Sequence, residues 1–140
     1  MTAAWKRRSI HVPGLAHGSN PIPAASRIGP LIATGGIRGV DVISGELSPD
    51  LATQVRLMFV NLERILSAAG GSLDSVIKVN VSAQSAEARP LVNAEWLTLF
   101  PDPASLPARH FSIQHLSHGM LVQCDALAVV NNAFEEPIDE

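Results

Sequence analysis

The nearly continuous apolar run over residues 120–130 constrains the fold of this chain more than any other segment. A strand that is covered on one face alternates polar and apolar residues, whereas a strand that is covered on both faces is apolar throughout. The run therefore predicts a central strand with packed elements above and below it. A single charged residue, Asp125, interrupts the run.

Five shorter patterns predict the other strands of the sheet. They lie at residues 9–12, 24–28, 31–34, 75–82 and 109–114. Gly29 and Pro30 join the second and third patterns into a predicted hairpin, which ends at the glycine pair Gly35 and Gly36. In the fourth pattern the strict alternation predicts a half-buried strand, with Ile77 on its apolar face.

Two amphipathic segments predict helices. Residues 49–69 predict a long helix, with Ser48 as the N-cap and Pro49 at the first helical position. Its apolar residues recur at three- and four-residue spacing and form one stripe, which consists of Leu51, Val55, Met58, Leu62 and Ile65. Ser85 begins a second helix, which has one apolar face and stops before Pro101.

The predicted order of elements is β, β, β, α, β, α, β, β, with no repeated period and no strict alternation of strands and helices. Such an order predicts an α+β fold in which helices cover one face of a sheet. The length of 140 residues corresponds to one domain. We expect residues 1–8 and 132–140 to be flexible ends, and the long irregular stretch before residue 24 to be a functional loop.

Composition limits the classes of partner. The net charge is −3, and the one basic cluster is short and terminal, which argues against a nucleic-acid partner. No run approaches the roughly 20 apolar residues that span a bilayer. The lone cysteine, Cys124, stands among apolar residues, which predicts a buried, inert thiol and a reducing, cytoplasmic environment. The mean hydropathy is slightly positive, so we expect an oligomer that buries apolar surface.

Two charged residues stand among apolar neighbours: Arg109 at the start of its strand, and Asp125 in the apolar run. A guanidinium is a planar fork of donors that matches a carboxylate, so Arg109 in a pocket would bind a substrate carboxylate. A desolvated Asp125 would exchange a proton with water. The alternative is a structural ion pair between the two residues, and the sequence does not separate these interpretations.

The five histidines invite a metal-site hypothesis that their spacing does not support. His115 and His118 are three residues apart in a strand and turn rather than in a helix, and no Cys or acidic pair completes a ligand set. We therefore expect no metal. Residues 35–39 are rich in glycine but match neither the P-loop nor the dinucleotide pattern, so they predict a tight turn.

Several motifs resemble those of one protein family in their order and spacing. They are Thr34 Gly35 Gly36, the helix from Gln54 to Gly70, the segment from Ser72 to Lys78, Asn93, Pro107 Ala108 Arg109, and Asp125 followed by Ala126 Leu127 Ala128. Over residues 10–130 the chain is similar to the Rid family (RidA/YjgF), the reactive intermediate imine and enamine deaminases.

The resemblance implies a homotrimer with a chorismate-mutase-like fold, a mixed and mostly antiparallel sheet, and pockets at the subunit interfaces. It implies hydrolysis of a 2-imino or enamino acid to ammonia and a 2-oxo acid, with no cofactor. Arg109 would hold the substrate carboxylate, and Asp125, where the family has a glutamate, would position the water. The implied substrate-binding residues are Ile22, Thr34, Gly35, Gly36, Asn93, His110 and Phe111.

The chain departs from the family at this implied pocket. Ile22 stands where the family has a tyrosine, Gly36 where it has a glutamine, and the bulky His110 and Phe111 where it has small residues. Asp125 is one methylene shorter than a glutamate, which changes where the carboxylate places a water. We therefore expect a preferred substrate other than the small alanine- or threonine-derived imines, or binding without turnover. Endoribonuclease activity is a third hypothesis, which the acidic net charge disfavours.

Overall fold

A computed structural model of the chain describes residues 5–131, which form a seven-stranded sheet and two α-helices. The strands are β1 (Arg8–Ile10), β2 (Ala25–Ile28), β3 (Leu31–Thr34), β4 (Ile37–Arg38), β5 (Val76–Ala83), β6 (Ala108–Ile113) and β7 (Val122–Val129). The helices are α1 (Leu51–Ala68) and α2 (Ala88–Leu99). A short 3-10 helix at Leu73–Ser75 precedes β5.

The strands are ordered β1-β2-β3-β7-β5-β6 across the sheet, and β4 also pairs with β7. β5 and β6 are parallel because α2 connects them, and the other pairs are antiparallel. The predicted α+β arrangement, with two helices on one face of a mixed sheet, is confirmed. The structure adds β4 within the segment that was predicted as a turn, since two residues are too few to produce a periodic pattern.

β7 is central, as predicted, but only one of its faces is covered within residues 5–131. The β7 residues that are buried on the helix side are Val122, Cys124, Ala126 and Ala128. The residues between them point to the other side and are Gln123, Asp125, Leu127 and Val129. The prediction of coverage on both faces is therefore wrong within the described residues, because Leu127 and Val129 are apolar but lie on a face that no second layer of residues 5–131 covers. We call the helix side the covered face and the other side the open face.

α1 buries the predicted apolar stripe apart from Leu51, which is its first residue and is only half-buried, and the helix begins later than predicted. Its N-cap is Asp50, whose carboxylate accepts hydrogen bonds from N and Oγ1 of Thr53 at 3.0 and 2.6 Å. These bonds lower the pKa of Asp50. Ser48, the predicted cap, instead accepts a hydrogen bond from the backbone N of Asp50 at 3.1 Å. A carboxylate is favoured at this position because the dipole of the helix is positive there.

Two other predicted positions are corrected. α2 begins at Ala88 rather than at Ser85, whose hydroxyl accepts a hydrogen bond from the backbone N of Glu87 in the preceding turn. β5 bulges between Val76 and Lys78, so that Val76 is buried and Ile77 is 52% exposed. A bulge inserts one residue into the alternation, which is why Ile77 does not lie on the apolar face.

The predicted flexible ends lie mostly outside the described residues. Arg8, which fell within the predicted N-terminal end, is instead the first residue of β1, where it pairs with Arg27. Arg27 is buried, and its guanidinium donates hydrogen bonds to the backbone oxygens of Gly29 and Ala69 at 2.8 and 2.7 Å. These bonds tie the first hairpin to the C-terminal end of α1.

Candidate functional site

Arg109 lies at the edge of the sheet, where β6 runs beside α2. Its Nη2 donates a hydrogen bond to Oδ1 of Asn93 at 2.6 Å. The guanidinium carbon also lies 4.9 Å from the centroid of the Trp96 ring, which adds a cation–π contact. The structure thus brings together two residues that were singled out from the sequence. Their contacts fix the guanidinium and leave further N–H donors for a ligand.

A second arginine extends this group on the covered face. Phe111 follows Arg109 by two residues on β6 and therefore points to the same side. The guanidinium carbon of Arg89 lies 4.6 Å from the centroid of the Phe111 ring. The pKa of Arg109 is lowered mainly by its partial burial and, to a smaller extent, by the charge of Arg89. A guanidinium remains charged in proteins, so two like charges near each other favour an anionic ligand here.

Asp125 lies on the open face, near the centre of the sheet. Its Oδ1 accepts a hydrogen bond from Nδ2 of Asn80 at 2.9 Å, and the register places these residues side by side on β7 and β5. His110 lies beside Asn80 on β6 and is exposed. Neighbouring strands are about 4.8 Å apart, so the three residues form one polar row across the open face. Within residues 5–131, the second carboxylate oxygen of Asp125 has no hydrogen bond from the protein.

The pairing of β7 is interrupted next to this row. β3 and β4 both pair with β7, and Thr34, Gly35 and Gly36 at their junction lie opposite Asp125 and Ala126. Oγ1 of Thr34 accepts a hydrogen bond from the backbone N of Ala126 at 2.9 Å, in place of a backbone carbonyl. Three residues predicted to bind substrate therefore lie beside Asp125.

An open cleft of about 850 Å³ extends from this interruption along the open face. Its lining includes Ile22 and Gly36 from the predicted pocket, together with His17, Arg38, Met120 and Gln123. A methyl group added at Gly35 would lie 3.3 Å from Nε2 of His17, so this imidazole lies over the backbone of Gly35. The volume is in the range of small-molecule sites.

Two buried amide side chains of α1 hold the walls of this cleft. Oε1 of Gln54 accepts a hydrogen bond from the backbone N of Leu121 at 2.9 Å and so fixes the turn before β7. Nδ2 of Asn61 donates to the backbone oxygens of Arg38 and Val40 at 3.0 and 2.8 Å. Both amides are fully buried, so their bonds to the walls are shielded from water.

The two residues predicted to be catalytic lie on opposite faces of the sheet. Arg109 pairs with the buried Val79 of β5, whereas Asp125 pairs with the next residue, Asn80. Successive residues of a strand point to opposite faces. The ion pair between Arg109 and Asp125 that the sequence left open is therefore not formed, and a single chain does not bring the two groups into one site.

Several residues of the site escaped the sequence analysis. Asn80, Arg38 and Gln123 acquire their positions through strand pairing, which the sequence does not reveal. Gln54 and Asn61 did carry a signal, because they are seven residues apart and fall within the apolar stripe of α1. Polar residues at that spacing indicate buried amides that bind backbone groups outside the helix.

Three further features concern metal ligands, membrane-spanning helices and the cysteine. Within residues 5–131, no group of three or more His, Cys, Asp or Glu side chains is placed to hold a metal ion. No helix in this range is long and apolar enough to cross a membrane. Cys124 is buried, as predicted, and this burial, with the charge of Asp125, raises the pKa of its thiol.

Comparison with known proteins places these features in context. Residues 19–130 match the family described as Endoribonuclease L-PSP, a range that contains every predicted site residue. The 2-iminobutanoate/2-iminopropanoate deaminase of Escherichia coli strain K12 is 29% identical over 104 residues, which cover 73% of this chain and 81% of that protein.

Solved structures share the fold. RidA from the Antarctic bacterium Psychrobacter has a TM-score of 0.79 at 26% identity, covering 88% of this chain and 99% of that protein. The YjgF gene product of Escherichia coli has a TM-score of 0.78 at 25% identity, covering 87% of this chain and 98% of that protein. The two helices and the mixed sheet are therefore the arrangement of these relatives.

Proposed function

The chain belongs to the Endoribonuclease L-PSP family, which includes the Rid (RidA/YjgF) proteins, and we propose that it is a hydrolytic deaminase of reactive 2-imino or enamino acids. In this reaction one water and one imine give one ammonia and one 2-oxo acid, so no cofactor is needed. The similarity to an imine deaminase supports the class of reaction. The surroundings of Arg109 support it from the site itself.

The surroundings of Arg109 are the main observation that supports this function. Arg109 is half-buried, it is held by Asn93 and Trp96, and within residues 5–131 no carboxylate pairs with it. An arginine that is fixed but not neutralised is a ready receptor for a carboxylate, which it binds with two parallel hydrogen bonds. Every 2-imino acid carries a carboxylate next to the reacting carbon, so this contact would fix the position of that carbon.

Asp125 is the proposed acceptor of a proton from water. Asn80 holds one of its carboxylate oxygens, and the other is available to a water molecule. As the water oxygen bonds to the imine carbon, the electrons of the C=N bond move to nitrogen and one water proton moves to Asp125. Asp125 passes this proton to the nitrogen, which gives an aminoalcohol. It then takes up the hydroxyl proton and passes it to the nitrogen as the C–N bond breaks, so that ammonia leaves and the oxygen remains as the carbonyl of the 2-oxo acid.

Because Arg109 and Asp125 point to opposite faces, we propose that each pocket combines Arg109 of one subunit with Asp125 of the next, in a homotrimer. The open face favours such an assembly, since it carries an apolar patch that no element of the described chain covers. The patch consists of Ile28, Leu31, Leu127 and Val129, which are 40%, 48%, 40% and 39% exposed. Apolar patches of this kind mark interfaces between proteins.

The test of Arg109 is ammonia release from freshly generated 2-iminopropanoate and 2-aminoacrylate, measured above the spontaneous rate. Wild type should accelerate release, and Arg109→Gln should lose at least about 100-fold in kcat/KM, because a charge-assisted carboxylate contact disappears. Arg89→Gln is the matched control, since it removes the neighbouring guanidinium and leaves the contact between Arg109 and Asn93 intact. An equal loss in both variants would mean that only the general positive charge matters.

A mixture of variants tests the shared site. Arg109→Gln and Asp125→Asn subunits, each inactive alone, are co-expressed and purified together. If each pocket draws on two subunits, roughly one quarter of the sites in a random mixture are complete, and that share of activity returns. Activity that stays at the level of the single variants would place both residues in one subunit and contradict the proposed arrangement.

Carboxylate binding without turnover is the second candidate function. The observation that favours it is Ile22, which lines the cleft. The resemblance implies a tyrosine at this position, so one polar contact to the substrate would be missing. Binding of 2-oxobutanoate that depends on Arg109, without acceleration of ammonia release, would establish this function in place of the first. Cleavage of RNA that survives Arg109→Gln would instead favour a ribonuclease.

A further inference from the structure

One arginine of the cleft has no partner in the described chain. Arg38 on β4 lines the cleft together with Ile22, Gly36 and Gln123. The side chain is half-buried, and within residues 5–131 its guanidinium makes no hydrogen bond or ion pair. Glu46 lines the same cleft but does not pair with it. The charge of Arg38 is therefore available to a ligand.

The register places this charge close to the proposed reaction centre. Arg38 pairs with Gln123 of β7, so both side chains lie on the open face. Gln123 precedes Asp125 by two residues, so Arg38 is a diagonal neighbour of Asp125, and such neighbours are about 7 to 8 Å apart. The carbon chain of a short dicarboxylic acid spans a separation of this size. A substrate that reacts beside Asp125 therefore extends naturally towards Arg38.

The position of Arg38 is fixed by the buried part of the molecule. Asn61 donates hydrogen bonds to the backbone oxygens of Arg38 and Val40, which holds β4 against α1. A methyl group added at Gly36 would lie 3.4 Å from Oε1 of Gln123, so this amide lies beside the approach to Arg38. A charged group whose backbone is already fixed loses less entropy on binding a ligand.

We propose that Arg38 and Gln123 form a subsite for a second anionic group, and that the preferred substrate is a 2-imino dicarboxylate. This inference rests on the proposed function: one carboxylate binds Arg109, and the distal carboxylate binds Arg38. A neutral side chain in the cleft would cover Arg38 without replacing its water, which is unfavourable for a charged group. A second carboxylate removes this penalty and adds charge-assisted hydrogen bonds.

Calorimetric titration of the 2-oxo products tests the subsite. Wild type should bind 2-oxoglutarate at least about tenfold more tightly than 2-oxobutanoate, the factor expected from one hydrogen-bonded charge. Arg38→Gln should weaken 2-oxoglutarate binding by about tenfold or more and leave 2-oxobutanoate unchanged. Arg56→Gln, which removes an exposed charge from α1, is the matched control and should leave both affinities unchanged.

Equal affinities for the two products in wild type, or an equal loss of both in Arg38→Gln, would overturn the subsite. Ammonia release separates this failure from failure of the proposed function. If 2-oxoglutarate binding depends on Arg38 but neither 2-iminoglutarate nor 2-iminopropanoate is hydrolysed faster, the deaminase proposal fails and the subsite stands. If both imines are hydrolysed with equal kcat/KM and Arg38→Gln changes neither, the subsite fails and the deaminase stands.

Discussion

The two faces of the sheet are built from the same strands but differ in burial and in function, and adjacent residues of β7 illustrate the difference. Cys124 on the covered face is 1% exposed and lies within the core. Asp125 on the open face is only half-buried and keeps one carboxylate oxygen for a ligand or water. The same contrast separates Asn61, whose amide binds backbone groups within the core, from Asn80, whose amide binds a side chain on the surface.

This contrast predicts which substitutions affect stability and which affect function. On the covered face, close packing makes small changes of volume or polarity costly to stability. On the open face, the subunit gains little stability from the side chains. These residues can therefore differ according to the substrate without loss of folding stability. We therefore expect changes on the covered face to alter folding, and changes on the open face to alter binding and turnover.

The largest expected difference is between two glycines that flank β4. A methyl group at Gly39 would collide with the backbone oxygen of Gln54 in α1, whereas at Gly36 it would meet only the flexible end of Gln123 at 3.4 Å. Gly39→Ala should lower the free energy of unfolding by roughly 3 kcal/mol or more, because neither backbone can move aside. Gly36→Ala should change it by less than about 0.5 kcal/mol. Urea denaturation measures both, and equal losses would remove the distinction between the faces.

The next difference is between the two amides. Asn61→Leu removes the amide that donates to the backbone oxygens of Arg38 and Val40, and should lower the free energy of unfolding by about 2 to 3 kcal/mol. Asn80→Leu should change stability by less than about 1 kcal/mol but reduce kcat roughly tenfold, because Asp125 loses its partner. Denaturation and ammonia release are measured on both variants. A large loss of stability in Asn80→Leu would show that the open face is also structural.

The smallest expected effect is the pH dependence that Cys124 confers. Burial raises the pKa of this thiol, so the unfolded chain loses its proton first. Stability is therefore unaffected below the unfolded pKa of about 8.5 and falls above it by up to about 1.4 kcal/mol per pH unit. Unfolding measured between about pH 8 and 9.5, where the accumulated loss stays near 1.4 kcal/mol, should show this slope in wild type and lose it in Cys124→Ala. A slope that persists in the variant would assign it to another group.

Much of the fold followed from local patterns. The amphipathic stripe of α1 and the alternation of Val79 and Val81 in β5 depend on residues that are close in sequence. These residues are buried as predicted, apart from the half-buried Leu51 at the start of α1. The errors also have local causes. Asp50 and Ser48 are both good helix caps, and the bulge at Ile77 shifts the alternation without leaving a signal in the residue types.

The residues of the candidate site were also only partly predictable from the sequence. Arg109 and Asp125 were identified because charged residues in apolar surroundings require partners, but the partners themselves, Asn93 and Asn80, were not both predictable. Asn93 came from the family resemblance. Asn80 became a partner only because β5 pairs with β7 in one register, and a shift of one residue would have turned it towards the helices.

The sequence by itself determined the elements other than β4, most of the core stripe of α1, and the two charged residues on which the proposed chemistry depends. Tertiary structure alone decided that Arg109 and Asp125 point to opposite faces, and that Arg38 lies on the same face as Asp125. The physical reason is that periodicity along a chain fixes which residues share a face of one element. Which faces meet depends on pairing between segments that are distant in sequence, and no local pattern encodes it.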